Sequence, residues 1–294
     1  MAPQELQCLT VPYLWAKRKR VCKTWIWWGH GYNFQAKLRP SVVTTIKEIL
    51  KGFMTRGGDG LITYTVKGAD YWRDRGVPQG WAIPYYNTID VEELHRAHAE
   101  LSKAQRMDLR RKLMLEGKHV LLFLGRLYAE KKADFLLEAF AILKKSYPDV
   151  ALLIIGDGEE RNRLQHMARD LELQDVHFFG EIVDPKETAA YCSLSDLLVI
   201  PGLVGLAIVH GFAFGLPLVT TDFPGHSPEL DYLTERNGVI TRMDTLHYAE
   251  AIGVLLSSPD RLEAMKHSAL VQSDTLKLEY SVRRFVTGIT ELSK

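Results

Sequence analysis

From His119 onward, short apolar runs alternate with amphipathic ones. The runs HVLLFLG (119–125), VALLIIG (150–156), VHFFGEI (176–182), DLLVIPG (196–202) and LPLVTTD (216–222) are continuously apolar rather than alternating. That is the pattern of strands covered by helices on both faces of a parallel sheet. Residues 133–147, 159–172, 185–195 and 204–214 between them read as helices, and 237–241 as a further short strand. Three more helices begin at Leu246, Pro259 and Leu278. Strand and helix in strict succession predict a doubly wound α/β domain.

The front of the chain follows the same grammar less tidily. Residues 24–28 predict a strand that ends in Gly29-His30-Gly31, and 41–55 a helix with Ser41 as N-cap after Pro40. A strand at 60–65, a helix at 66–75 and a strand at 81–86 follow. The charged, helix-prone stretch 87–118 places a boundary near its start. The expected organisation is a partial α/β domain over 1–88 and a complete one over 89–294, the last helix packing back on the first part. Two or three strands are too few for a full doubly wound domain.

Composition narrows the class. The 294 residues are 46% hydrophobic and 25% charged, ordinary for a globular chain. Thirty-seven Lys and Arg against 36 Asp and Glu leave a net charge of +1, which argues against nucleic acid held by bulk charge. Cys8, Cys22 and Cys192 show no CxxC spacing, so neither a disulfide framework nor a zinc site is expected, and the compartment reads as reducing. No run approaches the ~18 apolar residues of a membrane span, and the N-terminus has no signal-peptide core. The localisation expected is cytoplasmic.

Charge is nevertheless uneven. Residues 1–60 hold ten cations, Lys37 and Arg39 among them, against Glu5, Glu48 and Asp59, a surplus of +7. Lys17, Arg18, Lys19, Arg20 and Lys23 adjoin Tyr13, Leu14, Trp15 and Trp25. Basic residues interleaved with aromatics suit either a solvated face beside a buried strand or the anionic inner face of a membrane.

Three constellations carry candidate chemistry. The first is Gly125-Arg126 with Lys131-Lys132, at the strand end where an open α/β sheet binds its ligand. Arg offers a fork for phosphate oxygens and Lys a mobile point charge. Cations are unfavourable at a helix start, so the local conflict favours phosphate binding over two solvated lysines. The second is Pro201-Gly202-Leu203-Val204-Gly205-Leu206, a glycine turn from strand to helix whose first amides and dipole would make an anion site. His210 follows eight positions after Gly202, either a core histidine or a ligand contact. The third is His30, which two flanking glycines leave open to a ligand or a proton transfer; a structural role is the alternative.

Other motifs fail. Gly156-Asp157-Gly158 starts like a dinucleotide fingerprint, but Arg161 stands where its third glycine belongs. No GxxxxGK[ST], HExxH or GxSxG occurs. His95 and His98, three apart in a polar stretch, read as a solvated face.

Taken in order, these segments resemble the retaining glycosyltransferases of family 4, with the GT-B fold. LLFLGRLYAEKKADFLLEAFAIL is similar to the family's "GR…KG…L…A" stretch, and LLIIGDGEERNRLQHMARDLEL to its "GdG…r…L" strand and helix. DLLVIPG…GLAIVHGFAFGLPLVTTD is similar to its most diagnostic region. The resemblance implies transfer of a sugar from a nucleotide diphosphate sugar to a glycan or lipid-linked acceptor, with no cofactor and no metal. It implies that Arg126 and Lys131 hold the diphosphate and that Gly125 borders it. The backbone at Gly180 and Glu181 would border the base, and the amides of Leu203, Val204 and Gly205 would face the phosphates or sugar. His30 would reach toward the donor sugar. Catalysis then needs no enzyme nucleophile, since the leaving phosphate assists the acceptor.

Two departures stand out. The family's E-x7-E pair is replaced by Gly202 and His210, leaving ribose contact to a histidine and sugar contact to backbone; a similar P-G-x-V-G-L form with histidine occurs in polysaccharide-building subgroups. The residues up to Asn87 also supply only part of a GT-B first domain. An incomplete sheet would expose an unpaired strand edge for a partner or membrane to cover. The alternative function is an inactive nucleotide-sugar-binding remnant acting as a subunit or regulator. A GT-B epimerase fits less well, because its catalytic carboxylates have no counterparts here.

Overall fold

The computed structural model describes residues 1–4, 10–32 and 41–294. Glu5, Cys8, Lys37, Arg39 and Pro40, named above, lie outside the described residues. The chain divides into two compact units. One comprises Met1–Thr88, Pro224–Asp231 and Leu278–Lys294; the other comprises Ile89–Phe223 and Tyr232–Lys277.

The first unit is built on four parallel strands in the order β1 (Ala2–Pro3), β2 (Ile26–Gly29), β3 (Gly60–Thr63), β4 (Ala82–Pro84). Two short helices, α1 (Thr10–Ala16) and α2 (Arg18–Val21), precede β2. Helices α3 (Val42–Arg56) and α4 (Val66–Arg73) connect the later strands. Ser41 caps α3 by accepting from the Thr44 amide at 3.1 Å, and Thr65 caps α4 by accepting from Gly68 at 3.3 Å. The core is aromatic, centred on Trp27, Leu61, Met54 and Trp72. Both indoles are satisfied there: Trp27 Nε1 donates to the Met54 carbonyl at 3.1 Å and Trp72 Nε1 to that of Gly31 at 2.9 Å. The C-terminal helix, Leu278–Leu292, belongs to this unit and packs on β3 and β4. The sequence pattern had two or three strands here; β1 adds one, two residues long and pairing with Trp27 and Trp28.

The second unit holds six parallel strands, in sheet order β10-β9-β8-β5-β6-β7. These are β5 (His119–Leu124), β6 (Val150–Ile155), β7 (Val176–Gly180), β8 (Leu197–Val199), β9 (Leu218–Thr221) and β10 (Gly238–Thr241). Its helices are α5 (Val91–Glu100), α6 (Lys103–Lys112), α7 (Ala133–Ser146), α8 (Arg161–Asp170), α9 (Pro185–Cys192), α10 (Ala207–Ala213), α11 (Thr245–Leu256) and α12 (Pro259–Thr275). Every residue of β6, β8 and β9 is buried, which is why their sequences show no alternation. The chain runs outward from β5 to β6 and β7, then crosses back to build β8, β9 and β10 on the other side. The direction reverses between β5 and β8. Ligands of open α/β sheets bind beyond the strand ends at such a point.

The stretch read as polar and solvated is more than that. Helix α5 buries Val91, Leu94 and Ala97 and packs against α9 and α10. His95 and His98 are therefore not on a solvated face. His95 Nε2 meets Ser273 Oγ at 3.3 Å, and the His98 ring sits edge-on to Phe214. The His98 Nδ1 is buried without a hydrogen-bond partner among the described residues. Burial holds its imidazole below the ordinary range, with the Arg106 charge acting the same way.

Candidate phosphate site at the strand crossover

The site is the meeting of two loops at the β5/β8 reversal. After β5 the chain passes Gly125 and Arg126, then makes a 3-10 turn, Ala129–Lys131. Lys132 adopts a left-handed conformation (φ 56°) as N-cap of α7. This turn buries Lys131, leaving it 5% exposed. Its ammonium donates to the Val204 carbonyl at 3.0 Å and lies close beside Gly125 and Gly205.

Backbone bonds stitch the same loops together. The Gly202 amide donates to the Lys131 carbonyl at 3.2 Å and the Leu203 amide to that of Glu130 at 2.9 Å. A Cβ on Gly202 would stand 2.1 Å from the Glu130 carbonyl oxygen, so only glycine lets the two strands of backbone approach this closely. The cation at a helix start is thus explained. Lys131 answers a carbonyl of the facing loop, which outweighs a modest dipole cost.

The sequence expectation needs one correction here. The helix expected from Val204 begins at Ala207, because the chain turns through Gly205 in a left-handed conformation (φ 64°). The Leu203 amide is spent on Glu130 and cannot also bind phosphate.

Arg126 is exposed beside this loop, and its side chain makes no hydrogen bond to the described residues. Tyr128 lies near it and near Glu130; burial pushes the Tyr128 phenol up. On the far side of β5, Gly180 closes β7 and accepts from the Gly156 amide at 2.7 Å. Glu181 follows it, exposed. Gly125, Gly180 and Glu181 therefore lie along the strand-end edge with Arg126 and Lys131.

His210 sits on α10, partly buried, with Nδ1 3.3 Å from the Leu206 carbonyl. A carbonyl can only accept, so Nδ1 carries the proton and Nε2 remains an acceptor, suited to a hydroxyl. Burial holds this imidazole below 6.5, while the Leu206 carbonyl acts weakly the other way. The folded state therefore takes up a proton less readily than the unfolded chain. The associated stability is complete above about pH 6.5 and is lost as pH falls toward the depressed folded value. His98 and His177 are lowered by burial too and share the window. Replacing His210 by Gln is expected to flatten, without abolishing, the fall in melting temperature below pH 6.5. Melting curves across pH check it, and an unchanged acid limb would contradict it.

His30 lies in the first unit, at the end of β2. It is exposed, with its ring edge-on to Tyr64 at 4.3 Å between centroids. The carbonyl of the next residue, Gly31, accepts from Trp72 Nε1 and from Lys51 Nζ at 3.3 Å, so the backbone beneath His30 is pinned. The strand ends of this unit also gather Tyr85, whose hydroxyl donates to Asn87 Oδ1 at 3.1 Å. The Asn87 amide donates to Glu229 at 2.6 Å. Glu229 is buried. Glu229 and Asn87 are 142 positions apart, a separation that no sequence spacing reports.

Two parallel α/β sheets of this kind place the chain in the GT-B class. The family model for glycosyl transferases group 1 matches residues 105–270, more than half of the chain, and the chain belongs to that family. Among curated relatives, spore coat protein SA of Bacillus subtilis is 30% identical over 61% of this chain and 50% of its own. Alpha-monoglucosyldiacylglycerol synthase of Streptococcus pneumoniae is 31% identical over 64% of this chain and 42% of its own. The chain thus spans about half the length of these relatives. Among solved structures, Anabaena HepE in complex with UDP superposes with a TM-score of 0.72 at 16% identity, covering 90% of this chain and 71% of that one.

Proposed function

We propose that the chain transfers a glycosyl group from a nucleoside diphosphate sugar to a glycan or lipid-linked acceptor, with retention of configuration. The observation that carries the reading is Lys131, a buried cation fixed at the strand crossover with Arg126 exposed on the same loop. The UDP in the HepE complex and the lipid in the name of the pneumococcal relative support it.

In this reading the second unit, Ile89–Phe223 with Tyr232–Lys277, binds the donor. The bond from the sugar's anomeric carbon to the diphosphate breaks as a bond to the acceptor oxygen forms on the same face. The acceptor's proton passes to the departing diphosphate oxygen. Arg126 and Lys131 stabilise the charge that grows there. The Val204–Gly205 backbone lies next to the phosphates, and Gly180 and Glu181 border the base. His210 Nε2 accepts from a ribose hydroxyl, and Gly202 leaves the sugar to backbone contacts. His30 gives a hydrogen bond or proton to the transferred sugar, and 1–88 is the acceptor side.

Calorimetry with a panel of nucleoside diphosphates, followed by transfer assays with the matching sugars, tests this. Binding, turnover and an unchanged anomeric configuration by NMR are expected. An inverted product overturns the mechanism; binding without turnover across a wide acceptor panel favours a non-catalytic subunit. His210→Ala is expected to weaken nucleoside diphosphate binding by about 0.5–1.5 kcal/mol, one hydrogen bond. A change in stability without a change in affinity would return it to the core.

A further inference from the structure

Helix α3 carries an apolar face that is exposed among the described residues. Val42, Val43, Ile46, Ile49, Leu50 and Phe53 are all exposed, Val42 by 77% and Ile49 by 67%. At 100° per residue they fall in one sector about 120° wide, running about 17 Å along the helix. Monomeric soluble proteins seldom leave such a continuous stripe in water. The helix cannot roll to hide it. Its other side is held by the buried Gly52, Met54 and Thr55, and the Met54 carbonyl is tied to Trp27 Nε1.

The stripe ends in a basic segment. Phe53 meets the Trp15 ring edge-on at 5.6 Å, and the Arg18 guanidinium lies 4.3 Å over Trp15. Helices α1 and α2 adjoin the stripe through that contact and expose Tyr13, Leu14 and Val21. They add Lys17, Arg18, Lys19 and Arg20, with no acidic residue from 10 to 25. Lys47 and Arg56 stand exposed at the margins of the stripe.

We infer that α3, α1 and α2 together form a docking surface for an anionic lipid bilayer. The apolar stripe enters the boundary between headgroups and acyl chains while the cations engage lipid phosphates. Charge selects this occupant. A second copy would bring the same cation-rich, acid-free segment and no counter-charge for it, whereas anionic headgroups supply that counter-charge. The surface lies wholly within the first unit and does not depend on the donor reading.

The test is flotation of the full chain with vesicles of phosphatidylcholine, alone or with a minority of phosphatidylglycerol. The protein is expected to float with the anionic vesicles and not with the neutral ones. Ile46→Asn with Ile49→Asn is expected to lower partitioning about a hundredfold, from two lost aliphatic insertions. Lys19→Glu with Arg20→Glu is expected to lower it about tenfold or more and to weaken its salt dependence. These positions are exposed, so melting temperature and nucleotide affinity stay as in the parent. A parent chain that does not float, or flotation indifferent to the α3 pair, overturns the inference. So does a dimer in sedimentation that the α3 pair dissociates, which would assign the stripe to a second copy.

Discussion

Alanine at both Arg126 and Lys131 is expected to raise the dissociation constant for the nucleoside diphosphate by about a hundredfold to ten-thousandfold. Each charge-assisted hydrogen bond to phosphate contributes about 1.5–3 kcal/mol. The two cations stand on one loop, so their losses need not add. The singles separate binding from structure. Arg126 is exposed, so Arg126→Ala should leave the melting temperature within error while weakening affinity. Lys131 is buried with its ammonium on the Val204 carbonyl. Lys131→Ala should therefore also cost about 1–3 kcal/mol of stability, the penalty of an unpaired buried acceptor. Calorimetry and thermal melts on the three variants decide it. Unchanged nucleotide affinity in a folded double variant would remove the diphosphate assignment.

What was legible in sequence follows what is local. The buried strands of the second unit write themselves as continuous apolar runs, so β5, β6 and β9 appear within two residues of their expected bounds. Ser41 announces α3 because an N-cap bond spans three residues. The two-residue β1 carries no pattern of its own and exists only through pairing with Trp27 and Trp28. Helices α1 and α2 are shorter than the window in which periodicity shows. The stripe on α3 was readable as amphipathic, but an apolar face turned outward has the same sequence pattern as one turned inward.

The candidate site divides the same way. Arg126 and Lys131 were visible as cations after a strand. The bonds from Gly202 and Leu203 to Lys131 and Glu130 join residues some 70 positions apart, and no spacing rule reports them. The second of those bonds occupies the Leu203 amide, which the sequence alone offered to a phosphate. Gln4 shows the same effect in the first unit: its Nε2 donates to Thr55 Oγ1 at 2.7 Å across 51 positions.

Restoring the family's glutamate at Gly202 is expected to damage the protein rather than improve it. The position resembles the first glutamate of the E-x7-E pair, and a substitution made on sequence grounds alone would predict gain of a sugar contact. The backbone forbids it. Any Cβ at 202 meets the Glu130 carbonyl oxygen at 2.1 Å and the Lys131 carbonyl carbon at 2.7 Å, atoms of main chain that cannot swing aside. Relief requires breaking the two hydrogen bonds from the Gly202 and Leu203 amides that join these loops, and with them the seat of Lys131. Gly202→Glu and Gly202→Ala are both expected to lose at least about 2 kcal/mol. For a unit of this size that is a fall of about 4–8 °C or more in melting temperature. Nucleoside diphosphate affinity should fall in parallel, because the loop that presents Lys131 moves. Agreement between the two variants assigns the cost to the Cβ rather than to the carboxylate. A stable Gly202→Glu protein with faster transfer would show that this loop opens readily and that the glutamate's place was merely vacant.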